Sequence, residues 1–479
     1  MNENDAMNAE DTSETEGMSV NDAPADLSNS REMIFDYAQL AKEHKAHLSE
    51  LLDKYTALSD RGDSSDDSRK LRRELTAYFY ELYKVIFFKS VEADARIPNE
   101  VMMFLYFGYI DDKLAGEENA KLLYSMAQNI GIDESFRVFP LYQWLRLIYI
   151  GKKDPSVNEF SLDYVAYLRQ EKRQGNITAE DEARLLRNGK KRVEFEIDNM
   201  FKSANRMMTA RVTTFCPFFS DQNVYKPLEQ ILLNFEVLNK TVDVVKMIDY
   251  SLFYRETVYA NPGIGIQKEV IQVEVLPDVI LMPCVGERSA MWQEIAGAKR
   301  TTPARFCLPI FEAEELTKII IKLCGEFRWE LCRRIQGARW NDLTERSLTS
   351  DYCDYMDTYK RSRELSQEAK EKIKGSLVKH RNSSKEMFVE DYIQYISFES
   401  QSALRLNKVS RQVLFTYCPF SKAIRTALGS NPQYQKLIEI YNNKNGHTRH
   451  LYSISLDRIK KAGQEVPQEL RAHWMYLNM

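Results

Sequence analysis

Between Arg288 and Asp342 the chain gathers three of its five tryptophans, Trp292, Trp329 and Trp340, and seven arginines, Arg288, Arg300, Arg305, Arg328, Arg333, Arg334 and Arg339. Guanidinium groups bind carboxylates and phosphates in bidentate fashion, and indole and guanidinium side chains dominate binding hot spots. The run Gly297-Ala298-Lys299-Arg300-Thr301-Thr302-Pro303-Ala304-Arg305 adds cations and hydroxyls suited to an anion. Glu294, Glu330 and Asp342 supply carboxylates that can carry protons or pair with the arginines. Two readings follow. Arg288, Trp292, Glu294, Arg300, Arg305, Trp329 and Glu330 form a ligand or partner surface, or the same residues form an arginine–carboxylate network that ties strands to helices.

A second cationic stretch lies between Tyr359 and Lys385. Nine basic residues there, Lys360, Arg361, Arg363, Lys370, Lys372, Lys374, Lys379, Arg381 and Lys385, face only Glu364, Glu368 and Glu371. Such a patch suits the phosphates of nucleic acid or lipid, or is a solvated helix face paired as in Glu368 to Lys372. No nucleic-acid-binding motif accompanies it, which disfavours nucleic acid. His447-x-x-His450 has metal-ligand spacing, but Asn442-Asn443-Lys444-Asn445-Gly446 before it reads as a loop and no third ligand is close. Gly263-Ile264-Gly265 is followed by Lys268 where a dinucleotide fingerprint needs glycine. Phosphate-loop, zinc-helix and nucleophile-elbow signatures are missing, so no cofactor, metal or catalytic residue is assigned.

The elements that must position these residues are mostly helices. Glycine (18) and proline (14) are scarce in 479 residues, which disfavours a turn-rich β protein. Residues 1–30 carry eight acids and no base, and are expected to be a disordered tail; they hold the whole acidic excess, since the net charge is −4 and the remainder is at +4. Ile34, Tyr37, Ala41, His44, Leu48, Leu51, Tyr55 and Leu58 make a heptad seam after a Ser30 cap, expected to dock on its own domain. Ser59 to Ser68 reads as a linker, and helical spacing then continues to about Ala260.

The period changes near Gly263. Ile271, Val273 and Val275 alternate with polar residues, Pro277-Asp278 interrupts, and Val279 to Met282 and Phe306 to Phe311 read as further strands. Leu316, Ile320, Leu323, Phe327, Leu331 and Ile335 restore the helix, with Gly337 as its C-terminal cap. Trp329 lies off this stripe, so another domain or a ligand must cover its ring. Helix starts near Ser350, Ser366 and Ser384 complete the chain. Thr214-Phe215-Cys216-Pro217-Phe218 is echoed at Thr416-Tyr417-Cys418-Pro419-Phe420, as a duplicated helix-turn element or by chance. Seven cysteines without a Cys-x-x-Cys pair, and no secretory signal pattern or long apolar run, make a cytoplasmic protein with reduced thiols and no membrane span the default expectation.

The fold expectation is mainly α, with bundle-like helical layers and a small β-rich (α+β) segment near residues 264–311. The divisions are the 1–30 tail, a helical domain over 31–262, a small α+β segment over 263–345 and a helical region over 346–479. Met282-Pro283-Cys284-Val285-Gly286-Glu287-Arg288, Met291-Trp292-Gln293-Glu294-Ile295, Thr302-Pro303-Ala304-Arg305, Phe327 to Cys332, Ser347 to Tyr352 and Leu406-Asn407-Lys408 resemble a region of large bacterial proteins, some carrying a cyclic-nucleotide-binding domain. The resemblance spans about Val270 to Arg425 and implies no catalytic residues. A cyclic-nucleotide cassette separates Gly-Glu from Arg-x-Ala, whereas Gly286-Glu287 directly precedes Arg288-Ser289-Ala290 here, which argues against a working pocket of that kind. The functional expectation is a non-catalytic interaction or regulatory protein with a protein partner. The alternatives are a small-anion sensor or enzyme with Arg288, Arg300 and Arg305 as clamps, and a nucleic-acid or acidic-membrane binder; oligomeric state is left open.

Overall fold

The computed structural model describes residues 29–58, 65–93, 97–129, 137–158, 160, 162–208, 216–224, 226–286, 289–292, 301–312 and 314–479; the 1–28 part of the acidic tail and most of the 59–68 linker lie outside them. The fold is mainly α with a small β region. Helix α1 (Ser30–Ala38) and helix α2 (Lys42–Thr56) replace the single heptad helix expected from Ile34 to Leu58. Gln39 takes a left-handed conformation, φ 56°, and α1 closes with the Gln39 N–H on the Asp36 carbonyl (3.0 Å) and the Leu40 N–H on the Phe35 carbonyl (3.1 Å). The break lets Arg31 bond both Asp53 (2.9 Å) and Asp111. Asn29 rather than Ser30 precedes the first turn. Ile34, Leu48, Leu51 and Tyr55 are buried, so the seam does dock on its own protein, with His44 exposed.

Helices α3 (Asp66–Glu92), α4 (Asn99–Phe107), α5 (Asp112–Ala115) and α6 (Glu117–Asn129) follow. Strand β1 (Val138–Pro140) then leads into α7 (Leu141–Tyr149), α8 (Tyr164–Arg173), α9 (Ala179–Arg187) and α10 (Gly189–Met208). Thr178 and Asp181 close a capping box on α9, as their spacing predicts. Short α11 (Leu228–Ile231) and α12 (Phe235–Ile248) precede the hairpin of β2 (Tyr254–Asn261) and β3 (Ile266–Glu274). Strand β2 falls where helical spacing was expected to persist. Its Arg255, Thr257 and Tyr259 pair with Val273, Ile271 and Glu269, and that cross-strand register overrides the weak helical pattern.

The second sheet combines β1 with β4 (Asp278–Gly286), β6 (Arg305–Glu312) and β5 (Ala290–Trp292) in the order β1-β4-β6-β5. β1, β4 and β6 are parallel, and β5 runs antiparallel to β6. Every residue of β6 and the first seven of β4 are buried, the pattern of a parallel sheet covered on both faces. Pro283 and Pro309 cannot donate to the ladder, and the β4–β6 register shifts between Met282 and Val285. Gly108, φ 72°, follows α4 where a Cβ would stand 2.0 Å from the Pro217 carbonyl oxygen and 2.6 Å from that of Pro283. Only glycine lets α4 end against β4 there.

After β6 the chain enters α13 (Leu316–Gln336), α14 (Leu348–Thr358), α15 (Gln367–Lys379), α16 (Ser384–Ser397), α17 (Lys408–Tyr417), α18 (Lys422–Leu428), α19 (Pro432–Lys461) and α20 (Gln468–Asn478). Gly337 closes α13 with φ 59°, and Ser347, Ser366 and Ser383 cap α14, α15 and α16. The expected loop at Asn442 to Gly446 is instead the middle of the 30-residue α19. Tyr434, Ile438, Tyr452, Leu456 and Ile459 bury one face along that helix, and this packing outweighs the poor helix propensity of asparagine and glycine.

One apolar core runs from Ile34 in α1 to Ile438 in α19, across the divisions at 262/263 and 345/346. β1 crosses the first division as well, because it joins the sheet from within 31–262. A smaller cluster joins Ile266 and Ile271 of β3 to Tyr452, Leu456, Ile459 and Leu470. In the Cys-Pro-Phe echo, Phe218 packs on Phe79 (5.1 Å) and Phe420 stacks on Tyr395 (4.2 Å); Thr214 and Phe215 lie outside the described residues. Among the described residues no helix is long and apolar enough to cross a membrane.

The ring of Trp329 is covered by the protein itself. It is 3% exposed and lies 5.4 Å from Phe388, 6.1 Å from Tyr352 and 6.2 Å from Trp340. Trp329→Ala should therefore lower stability by about 3–5 kcal/mol in urea unfolding. A loss below about 1 kcal/mol would place this ring outside the core.

Candidate functional site

The expected arginine–tryptophan surface is not assembled by the side chains that are described. Arg288, Glu294 and Arg300 lie outside the described residues, and Trp292 is placed only by its backbone, opposite Arg305 in the β5–β6 ladder. Arg305 is buried, with its guanidinium 5.2 Å from the centre of Trp144 and Nη2 donating to the Asp154 carbonyl oxygen at 3.1 Å. Trp329 is core. Glu330 accepts from Arg333 (2.7 Å) and Lys385 (3.1 Å); burial works to raise its carboxyl, and these cations hold it below the usual carboxylate range. Arg328 of the same window is committed to Asp249, with Nε donating to Oδ2 at 2.9 Å. Arg305 therefore serves the β6–α7 contact, while Trp329 and Glu330 serve the packing of α13 against α14 and α16. His447 and His450 sit on α19, and no group of three metal-ligating side chains is found among the described residues.

A cleft of about 330 Å³ opens instead between α14, α15, α16 and the segment leading into α17. Ser366 accepts the Ala369 N–H and starts α15, which brings Lys372 and Ile373 to one wall. Ser383 starts α16, which brings Met387, Glu390 and Asp391 to the floor. Arg405, Leu406 and Asn407 form the opposite rim. Asn407 caps α17 through its side-chain oxygen, and its amide donates to Tyr355 Oη of α14 at 2.7 Å.

The rim is fixed by a buried carboxylate behind it. Glu399 is fully buried, and its Oε1 accepts the backbone N–H groups of Arg405 (2.6 Å) and Leu406 (2.7 Å). Arg411 donates from Nε to Oε2 (2.6 Å) and from Nη2 to Oε1 (3.0 Å), and Tyr434 donates to Oε2 (2.6 Å). Burial alone would raise this carboxyl, but Arg411, Tyr434 and the Leu406 N–H outweigh it and hold Glu399 ionised below its ordinary range. A segment without regular secondary structure is thereby fixed at Arg405 and Leu406.

The charges in the cleft do not cancel. Glu390 is spent on His380 and on Lys379 (3.2 Å). Lys372 and Arg405 have no ion-pair partner among the described residues, and Arg405 lies 5.3 Å over the Phe398 ring. Asp391 accepts the Tyr352 hydroxyl proton at 2.8 Å. Burial pushes its carboxyl up to about 7, against the opposing pull of that hydrogen bond and of Lys372. Near neutrality the site thus presents two cations, a carboxyl at the edge of ionisation, and apolar walls from Ile373, Met387 and Leu406. Chemically it can hold an anion through Lys372 and Arg405 and exchange a hydrogen bond with that anion's body at Asp391.

Sequence reasoning found Lys372 as one of a basic run but missed Asp391 and Glu399. Neither carries a motif, and each becomes special only through burial by helices distant in sequence. A glutamate with Arg-Leu-Asn and an arginine close behind it, Glu399 to Arg411, is the local signal that was present.

Two outcomes are expected. Glu399→Gln leaves Arg411 buried without its charge partner and should cost about 3–5 kcal/mol in chemical denaturation; a near-neutral result would contradict the burial described. Asp391 binds its proton more tightly folded than unfolded, so its stabilising contribution is fully present below about pH 4, where an unfolded aspartate titrates, and is lost as pH rises towards about 7. Measured across that window, Asp391→Asn should become progressively more stable relative to wild type and then level off; a constant difference would show that Asp391 titrates normally.

All of the cleft residues and Glu399 fall within residues 337–476, which match a domain of unknown function, DUF8509. No curated protein and no solved structure matches the chain.

Proposed function

We propose that this chain is a non-catalytic binding protein of a reducing, cytoplasmic compartment, in which the α14–α17 cleft takes a small anion with an apolar body. The observation that carries this reading is the pair of cations, Lys372 and Arg405, which have no ion-pair partner among the described residues and stand between apolar walls over a floor whose acids are either engaged or partly protonated. Bound carboxylate or phosphate would supply the missing counter-charge, and the cleft volume suits a ligand of metabolite size. The non-catalytic part is supported by the nucleophile candidates. Burial raises the thiols of Cys284, Cys307, Cys324 and Cys418, which makes them poor thiolates. All seven cysteines are free, which suits a reducing compartment. The Tyr352 and Tyr355 hydroxyls beside Asp391 are raised by burial, so they offer it no base near neutral pH.

The test is calorimetric titration of the full chain with aromatic carboxylates and nucleoside monophosphates at two salt concentrations. At least one class should bind, more weakly at high salt. Lys372→Glu and Arg405→Glu should each lower its affinity about tenfold or more, the worth of one charge-assisted hydrogen bond. No binding by either class, or binding that both variants retain, overturns the proposal.

A further inference from the structure

The outer face of α19 has a composition the cleft does not use. Its inner face is buried through Tyr434, Ile438, Tyr452, Leu456 and Ile459, yet Ile440, Leu451 and Ile454 stand 56%, 54% and 39% exposed on the opposite side. Leu437, Ile440, Lys444, His447, Leu451, Ile454 and Arg458 follow one another in alternating steps of three and four, the spacing of a helix-pairing seam. Lys436 and Lys461 flank that seam. Lys436, Lys444, Arg458 and Lys461 are exposed and make no ion pair among the described residues. At 100° per residue the acids of this helix, Glu439 and Asp457, fall outside the sector.

We infer that the outer face of α19 docks an acidic amphipathic helix of a partner protein. The aliphatic positions supply the seam, and glutamates flanking a partner's own seam would meet Lys436, Lys444 and Arg458. Charge decides against a second copy. Antiparallel pairing about His447 sets Ile440 against Ile454 but brings Lys436 to Arg458, and parallel pairing sets each cation against itself. A lipid surface suits the seam less well, because interfacial helices insert tryptophan, phenylalanine and leucine deeply, and this sector has no tryptophan or phenylalanine and only three well-exposed aliphatics, Ile440, Leu451 and Ile454, separated by Lys444 and His447. The site is independent of the cleft, none of whose lining residues belongs to α19.

The probe is a synthetic three-heptad peptide with leucine in its seam and glutamate beside it, followed by fluorescence anisotropy on the full chain. Binding should fall about tenfold or more in Ile440→Glu and in Leu451→Glu, both at exposed positions where folding is retained. The triple variant Lys436→Glu, Lys444→Glu, Arg458→Glu should lose the glutamate peptide and gain its lysine-flanked counterpart, an exchange that general stickiness would not produce. Equal binding by wild type and these variants overturns the inference. So does binding to phosphatidylserine vesicles in place of the peptide, or a dimer in sedimentation that Ile440→Glu dissolves.

Discussion

An ionised carboxylate with no exposure to water governs the C-terminal half of this molecule. Glu399 satisfies its oxygens with Arg411, Tyr434 and the N–H groups of Arg405 and Leu406. Taking a carboxylate out of water is costly unless such partners are present, so the geometry around it is narrowly prescribed. Because two of the partners are backbone amides of an irregular segment, the requirement passes directly into the shape of the cleft rim. Asn407, next in the chain, caps α17 and ties Tyr355, so the rim is also joined to α14. The cation at Arg405 can stay uncommitted because its backbone is already fixed.

A second buried ion pair connects this half to the sheet. Arg328 of α13 meets Asp249 at the end of α12, and Tyr392 of α16 donates to the same carboxylate at 2.8 Å. Helix α13 follows β6 directly, and Phe327 of α13 packs near Phe306 of β6 and Phe253. The buried strands thus set the position of α13, α13 and Asp249 set α16, and α16 carries Asp391 to the cleft floor. Arginines that look available in the sequence are consumed in this chain of contacts.

Much of the architecture was legible because it rests on local rules. Glycine scarcity and 3.6-residue spacing gave the helices, Ser366 and Thr178 marked their starts, and alternation around Pro277 separated β3 from β4. What escaped depends on partners far away in sequence. β1 is three residues whose strand character comes from Val279 to Leu281, and Asn442 to Gly446 stay helical because of what packs on the far side of α19. The binding surface was harder for the same reason. Residue type singled out Trp329 and Glu330, but whether an indole or a carboxylate is free depends on Phe388, Tyr352, Arg333 and Lys385. Lys372 was visible within a basic run, whereas its lack of an ion-pair partner among the described residues was not.

Whether Glu399 holds the rim in place is tested most directly by amide hydrogen exchange read residue by residue. Arg405 and Leu406 lie in a segment without helix or strand, yet both donate to a buried carboxylate. Their amides should exchange as slowly as those in the middle of α16, in the regime of global rather than local opening. Exchange at the rate of a solvated loop would show that the rim opens independently, and the cleft would then not be a preformed site.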